Sequence, residues 1–326
     1  MTRSRLATIA GPVLDVLLFP FVVPASLLLW IVRRVGLHRL RLCRSVLLRV
    51  GILPVRKHYY EPFVDPRRLR PASEERYLPG IDWNIEQQLG LLAGMQHADE
   101  LDYLLAPRHS RLDFRLGNGA FESGDAEFLY QLIRKTKPRR IIEIGSGHST
   151  LIACDATKRN LEESPDAICQ HTCIEPFEAK WLEGADVTIL RRRLEEVDSG
   201  IFRELEAGDL LFIDSSHVIR PQGDVLVEYL EILPTLQNGV IVHVHDIFSP
   251  RDYPDEWRRD RIWLWNEQYL LEAFLSDNRA WKVLAALNLL KHRHFDALRR
   301  VCPYVRPDRE PGSFYIQKVG EAYGAA

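Results

Sequence analysis

Four short stretches of the 326-residue chain gather the residue types that grip charged ligands or move protons. Glu143-Ile144-Gly145-Ser146-Gly147 places an acid two residues before a Gly-x-Gly bend, and Ile174-Glu175 ends an apolar stretch on a second acid. Asp214-Ser215-Ser216-His217 and His243-Val244-His245-Asp246 each close an apolar run with carboxylate and imidazole groups. A Gly-x-Gly turn after a strand lets a ligand approach the backbone closely. A dinucleotide-binding turn would want a third glycine where this chain has Thr150, and it rarely needs an acid at the position of Glu143.

An acid there can instead meet a cationic amino-acid moiety lying over the bend. That suits S-adenosylmethionine, which has an ammonium and a sulfonium but no pyrophosphate. A carboxylate at the end of the next strand, Glu175, can accept both ribose hydroxyls, as in nicotinamide-binding folds. The plainer alternatives are a surface carboxylate for Glu143 and a helix N-terminal charge for Glu175.

Methyl transfer from a sulfonium is an in-line displacement at an already activated carbon. The protein has mainly to align acceptor and donor and to remove a proton. Asp214, His217, His245 and Asp246 are the candidates, because the strands they end are neighbours in a doubly wound sheet. They read in two ways. His217 or His245 is a general base oriented by a nearby aspartate. Alternatively, Asp214, Asp246 and His245 hold magnesium or another divalent cation that lowers the pKa of an acceptor hydroxyl. A polar network that merely closes the sheet edge is the third possibility. Arg220 and Arg251 are candidates for an anionic acceptor, and His148 for a helix first-turn residue touching the donor.

The elements that would position these groups alternate. The pattern predicts helices over 124–135, 148–159, 221–236 (with Pro221 in its first turn) and 261–277, the last rich in aromatics. Strands are expected over 140–144, 169–174, 186–190, 209–213 and 239–245, with acidic helical stretches around the third, and a terminal pair over 281–286 and 313–319. Strands separated by helices imply a mostly parallel sheet covered on both faces. Before this domain, Asn84 and Gln87 resemble a capped start of a helix over 84–95.

EIGSGHST, IEP, FIDSSH and VHDIFSPRDYP together resemble class I S-adenosylmethionine-dependent methyltransferases, in particular the methyltransferase domain 24 group. The resemblance covers about 120–320 and is best over 141–155 and 208–258. It implies a Rossmann-like, seven-stranded sheet with a reversed last strand. By that likeness Glu143, Gly145, Ser146 and Gly147 line the donor's methionine end, Glu175 holds the ribose, and Asp214 borders the donor. Glu122-Ser123-Gly124 is similar to a segment that closes over it. Some methyltransferases of this likeness use magnesium near the fourth and fifth strand ends. Acceptors vary across the group, so none carries over.

The resemblance stops short of the N-terminus. Residues 1–57 hold ten Arg or Lys and one acid, Asp15, a net of +9 against −2 for the whole chain. Residues 11–32 are apolar apart from Asp15, and 22 helical residues span roughly 33 Å, close to a bilayer core. Pro20 and Pro24 are expected to kink such a helix, which membrane helices tolerate. The downstream arginines suit the cytoplasmic side or an anionic leaflet. A signal peptide is disfavoured, since no small-residue cleavage site follows Trp30; a buried helical hairpin is the other reading. Five cysteines without CxxC spacing do not suggest a disulfide framework. The near-neutral charge is not that of a nucleic-acid binder.

The expectation is therefore an α/β protein with three parts: a membrane-associating segment at 1–57, a linker and helical cap at 58–115, and a methyltransferase domain at 116–326. It would sit on the cytoplasmic face of a membrane and O-methylate a small-molecule, sugar or lipid-linked acceptor, as a monomer or a homo-oligomer. An NAD-dependent oxidoreductase and a non-catalytic membrane scaffold are the rivals.

Overall fold

The computed structural model describes residues 3–177 and 180–320. Residues 1–2 of the expected N-terminal segment, 178–179 in an expected helical stretch, and 321–326 at the end of the expected catalytic domain lie outside the described residues. The chain divides into two units, Met1–Arg70 and Pro71–Ala326.

In the first unit, α1 (Arg3–Val35) runs unbroken through Pro12, Pro20 and Pro24. Its stretch Gly11–Val35 is long and apolar enough to cross a membrane. Leu17, Phe21 and Leu28 are exposed, so nothing else in the unit covers them. Arginines form the last turn, and α2 (Arg41–Val50) follows, with no acid in its first turn and Arg49 in its last. Gly51, at φ 80, caps α2 by donating its N–H to the carbonyl of Leu47. The stretch after 57, expected as a linker, is tied back: Glu61 accepts hydrogen bonds from Arg33 at 2.8 and 2.9 Å, and Lys57 pairs with Asp65 at 2.5 Å.

The second unit begins earlier than expected, because residues 71–115 pack onto the sheet domain. Arg76 pairs with Glu272, and Leu92, Leu101 and Phe114 join its core. The helix α3 (Ile85–Ala93) is shorter than 84–95, and Asn84 does not cap it with its side chain. Gln88 turns inward instead, its Nε2 donating to the Trp83 carbonyl at 2.5 Å and its Oε1 accepting the Ala286 N–H at 2.8 Å.

Seven strands form one sheet: β1 (Arg140–Ile144), β2 (Gln170–Ile174), β3 (Thr188–Leu190), β4 (Leu210–Ile213), β5 (Ile241–Val244), β6 (Trp281–Ala286) and β7 (Phe314–Lys318). Their order is β3-β2-β1-β4-β5-β7-β6. The first five pair in parallel, while β7 runs antiparallel to both β5 and β6. This is the expected architecture, reversed last strand included.

Side chains alternate between two cores, as the period of a strand requires. Ile141, Phe212 and Tyr315 face one side with α4 (Asp125–Thr136) and α5 (His148–Glu163); Ile142, Ile144, Ile213 and Val244 face the other. Most strand positions are buried, as in sheets covered on both faces.

Two expected helices differ. The helix predicted from Pro221 begins only at Asp224; α6 (Asp224–Val227) continues through a π turn, Glu228–Ile232, and a 3-10 turn, Leu233–Thr235. Pro221 and the left-handed Gln222 form the preceding turn. The aromatic helix predicted over 261–277 shrinks to α7 (Glu267–Leu275). Its aromatics win over helix propensity: Trp263 and Trp265 stack at 4.5 Å on a non-helical segment and pack with Trp257. Two further helices, α8 (Leu287–Arg293) and α9 (Phe295–Val301), connect β6 to β7.

Candidate active site

The Gly-x-Gly bend follows β1 and leads into α5. Gly145 has φ 79, and a Cβ there would lie 1.9 Å from the Asp214 carbonyl oxygen, so only glycine fits between the ends of β1 and β4. Gly147 is different. It is extended, and a Cβ on it would meet nothing within 4 Å. The space over Gly147 is therefore open. A cavity of about 740 Å³ opens here, lined by Gly145, Ser146, Glu175, Phe177 and Asp214 among others.

Glu175 is well placed on the cavity wall. Its Oε1 accepts the Phe177 N–H at 2.9 Å and its Oε2 accepts the Ser146 N–H at 3.3 Å. The hydroxyl of Ser146 is buried without a hydrogen-bond partner. A nucleoside with a free diol and an ammonium fits this donor set: open backbone at the bend, a carboxylate at the second strand end, and an unused hydroxyl between them.

Glu143 is not presented to that cavity, which corrects the sequence reading. It lies within β1 rather than past its end, on the face covered by α5. Its Oε2 accepts the Thr150 hydroxyl at 2.6 Å and its Oε1 meets His171 Nε2 at 3.0 Å. Burial alone would strip His171 of its proton, but the Glu143 charge, Cys173 and the hydrogen bond His171 donates to Glu143 raise it to about 10. Glu143 and His171 thus form a buried ion pair beneath the bend. The partner was missed because His171 reads as an ordinary strand residue; register shows why it fits, since Glu143 lies opposite Cys173 and His171 is two residues away on the same face.

Glu122 also has internal partners. Its carboxylate accepts the N–H groups of Gly117 and Gly119 at 2.9 and 2.6 Å. It shapes the turn before α4 and does not line the donor cavity. His148 packs edge-on to Phe114 at 6.5 Å and near Trp181 at 5.7 Å, and burial lowers its pKa.

The other cluster lies at the ends of β4 and β5. His217 is clamped on both sides: Nδ1 lies 2.8 Å from Glu267 on α7, and Nε2 lies 3.2 Å from Asp214 and 3.7 Å from Asp246. Burial opposes the charge, yet Asp214, Glu267 and Asp246 together raise His217 well above its ordinary value. Both ring nitrogens of His217 therefore face carboxylates, and neither is turned toward open space. Burial would raise Asp214, but the charges of His245 and His217 and the hydrogen bond from His217 hold it down to about 2.

Donor atoms of Asp214, His217 and Asp246 lie within 4.8 Å of one another. The histidine within reach of both carboxylates is therefore His217, where the sequence had suggested His245. His245 sits on the other flank, its Nε2 3.6 Å from the Oδ1 of Asp246, whereas His217 faces Oδ2. The set suits a divalent cation: two carboxylates, partly exposed, and an imidazole whose far nitrogen is fixed by a buried carboxylate, the arrangement that orients histidine ligands. Glu267, fully buried and further bound by Tyr229 at 3.3 Å, was not legible from the sequence, because it lies 50 residues from His217.

Both His217 and Asp246 adopt left-handed backbone, each with φ 57. Such strain in residues with a Cβ is characteristic of functional sites. Trp265 packs over His217 at 4.4 Å and walls the cluster. Neither arginine considered for an anionic acceptor is free. Arg220 pairs with Asp224 at 3.4 Å, and Arg251 lies 4.0 Å from Glu75.

Residues 142–247, which run from the first strand to just past the fifth, match the family model described as a methyltransferase domain. An "Uncharacterized protein" of Archaeoglobus fulgidus is 30% identical over 176 residues, covering 50% of this chain and 78% of that protein. The chain is also similar to an O-methyltransferase of Streptomyces achromogenes solved with S-adenosylmethionine, at 17% identity and TM-score 0.37 over 72% of this chain and 90% of that one. An O-methyltransferase of Bacillus cereus, solved with S-adenosylhomocysteine, aligns at 14% identity and TM-score 0.40 over 70% of this chain and all (100%) of that one. The family match falls on the strands and bends that frame the cavity, and this part of the chain is a methyltransferase domain.

Proposed function

We propose that the protein O-methylates a hydroxyl on a small or lipid-linked acceptor at a membrane surface. The observation that supports this reading is Asp214, which lines the donor cavity and also joins Asp246 and His217 at the neighbouring strand end. A hydroxyl held between Asp214 and Asp246 lies beside the donor's sulfonium. Its oxygen forms the new C–O bond as the C–S bond breaks, and the electron pair of that bond stays on sulfur to give the neutral thioether. His245 in its neutral form, next to Asp246, takes the hydroxyl proton. Asp214, Asp246 and His217 would hold a divalent cation, and a cation bound there lowers the pKa of the acceptor hydroxyl.

Incubating membrane extract with isotope-labelled donor and the full-length protein is expected to give a methyl ether. A chelator should suppress the label and added Mg²⁺ should restore it. Label on nitrogen or carbon would overturn O-methylation, and full activity in chelator would overturn the cation.

The N-terminal unit supports the membrane setting. A helix of the 25 residues from Gly11 to Val35 is about 37 Å long, enough to cross a bilayer core of roughly 30 Å. Exposed arginines on α2 suit an anionic cytoplasmic leaflet. Deleting residues 1–50 is expected to move the protein from the membrane pellet to the supernatant; unchanged sedimentation would count against the anchor.

A further inference from the structure

We propose that a cavity whose walls lead to the ends of the fourth and fifth strands is a phosphate-binding subsite for the acceptor, built from Arg299, Arg306 and Arg309. The proposal rests on the reading of the strand edge as a hydroxyl-methylating site. The cavity measures about 700 Å³ and lies chiefly between the 117–123 segment and the 299–309 segment, which carries the arginines.

Both walls run directly into the strand edge. Phe121 packs its ring on His245 at 5.1 Å. Gly312, three residues beyond Arg309, is pressed against the fifth strand end. A Cβ on it would lie 3.1 Å from the Asp246 Cα, and its carbonyl accepts the Ile247 N–H at 2.8 Å. The two walls also meet each other, since the Cys302 thiol lies 3.4 Å from the Gly124 carbonyl and the Tyr304 N–H donates to Glu127 at 2.7 Å. The charges of both His245 and Arg309 act on buried Asp125, which places that arginine in the electrostatic reach of the site.

The charge balance identifies the ligand. Three arginines line the cavity and one acidic residue does, Glu122, whose oxygens are taken by the N–H groups of Gly117 and Gly119. Arg306 pairs with Asp308 at 3.0 Å, but both side chains are largely exposed, and an exposed pair contributes little. Arg299 and Arg309 have no ion-pair partner among the described residues, and the Nε of Arg309 is buried without a hydrogen bond. A neutral sugar would bring no charge to oppose them. A phosphate or pyrophosphate ester supplies two or more negative charges and oxygens that match the guanidinium fork. A phosphate anchored here leaves the rest of the acceptor directed at Asp214 and Asp246.

The test uses the full-length protein in detergent, with inorganic pyrophosphate as probe and calorimetry as readout. Binding of S-adenosylhomocysteine is measured first and reads the donor site separately. Pyrophosphate is then titrated with and without that ligand. Saturable binding is expected, weakened at least tenfold by Arg309→Ala and about threefold to tenfold by Arg299→Ala. Arg309→Lys should fall between Arg309→Ala and the parent, and Arg159→Ala, on the distant outer face of α5, should match the parent. Unchanged S-adenosylhomocysteine affinity in each variant shows that the fold persists. A protein that binds S-adenosylhomocysteine but not pyrophosphate overturns the subsite alone, as does pyrophosphate binding indifferent to Arg299 and Arg309. If Arg309→Ala instead weakens S-adenosylhomocysteine tenfold and spares pyrophosphate, the arginines serve the donor's own carboxylate and the proposal falls.

Discussion

Asp246→Ala is expected to cut transfer of labelled methyl to the acceptor by about 10²–10³-fold, the usual consequence of removing a charged group that acts at the reacting atoms. Affinity for S-adenosylhomocysteine should change by less than about threefold, because Asp246 does not line the donor cavity. A variant that retains more than about a tenth of the parent's turnover would remove Asp246 from the chemistry. The same residue carries strain. A left-handed residue with a Cβ costs on the order of 1–3 kcal/mol, and Asp246 holds φ 57. Asp246→Gly should therefore be just as inactive yet melt no lower than the parent. That pairing of lost turnover with unimpaired stability is what a merely structural aspartate would not give, and it follows the general opposition between a strained site and a stable fold.

The second large effect concerns stability. Glu143→Ala should lower the unfolding free energy by about 3–5 kcal/mol, the typical result of leaving one member of a buried ion pair behind. The side chains of His171 and Glu143 are only 3% and 1% exposed, so water cannot replace the lost carboxylate. If the loss comes from an uncompensated imidazolium, Glu143→Gln with His171→Leu should recover much of it, and a double-mutant cycle will report the coupling. Equal losses in single and double variants would show that the pair is not the cause.

The pH dependence has a definite sign. His171 has an ordinary value of 6.5 and is raised to about 10 when folded, so the folded chain holds this proton more tightly than the unfolded one. Its contribution is complete below about pH 6.5 and is lost as pH climbs through about 10. Chemical denaturation of the parent across that window should show a decline that the double variant lacks.

The sheet was readable because its strands are apolar runs interrupted by turn residues, and burial on both faces leaves such runs little choice. Glu175, Asp214 and Asp246 were readable for a related reason: each stands just past a strand end, where backbone geometry points polar groups into the crevice. Glu143 shows where that logic stops. It sits one residue inside its strand, and a shift of one residue turns a side chain from the edge onto a face. The carboxylate then needed a partner across the sheet, and His171 gives no local sign of being one. The clamp on His217 was hidden similarly, because one of its partners is Glu267, a contact made only when α7 folds onto the strand ends. The aromatic segment before α7 was misjudged because tryptophan stacking overrode a period that suits a helix. Residues 58–70 were assigned to a linker because ion pairs such as Arg33 with Glu61 span 28 positions and leave no local pattern.

The insertion of β7 between β5 and β6 also bears on the order in which the protein can become active. The bends and carboxylates around the methyl donor are complete once synthesis has passed residue 246, whereas Gly312, which presses on Asp246, and the partner strand of β5 are added about 70 residues later. On the ribosome the residues of the donor cavity therefore all emerge before the arginines of the neighbouring cavity and before the strand that covers the edge of β5.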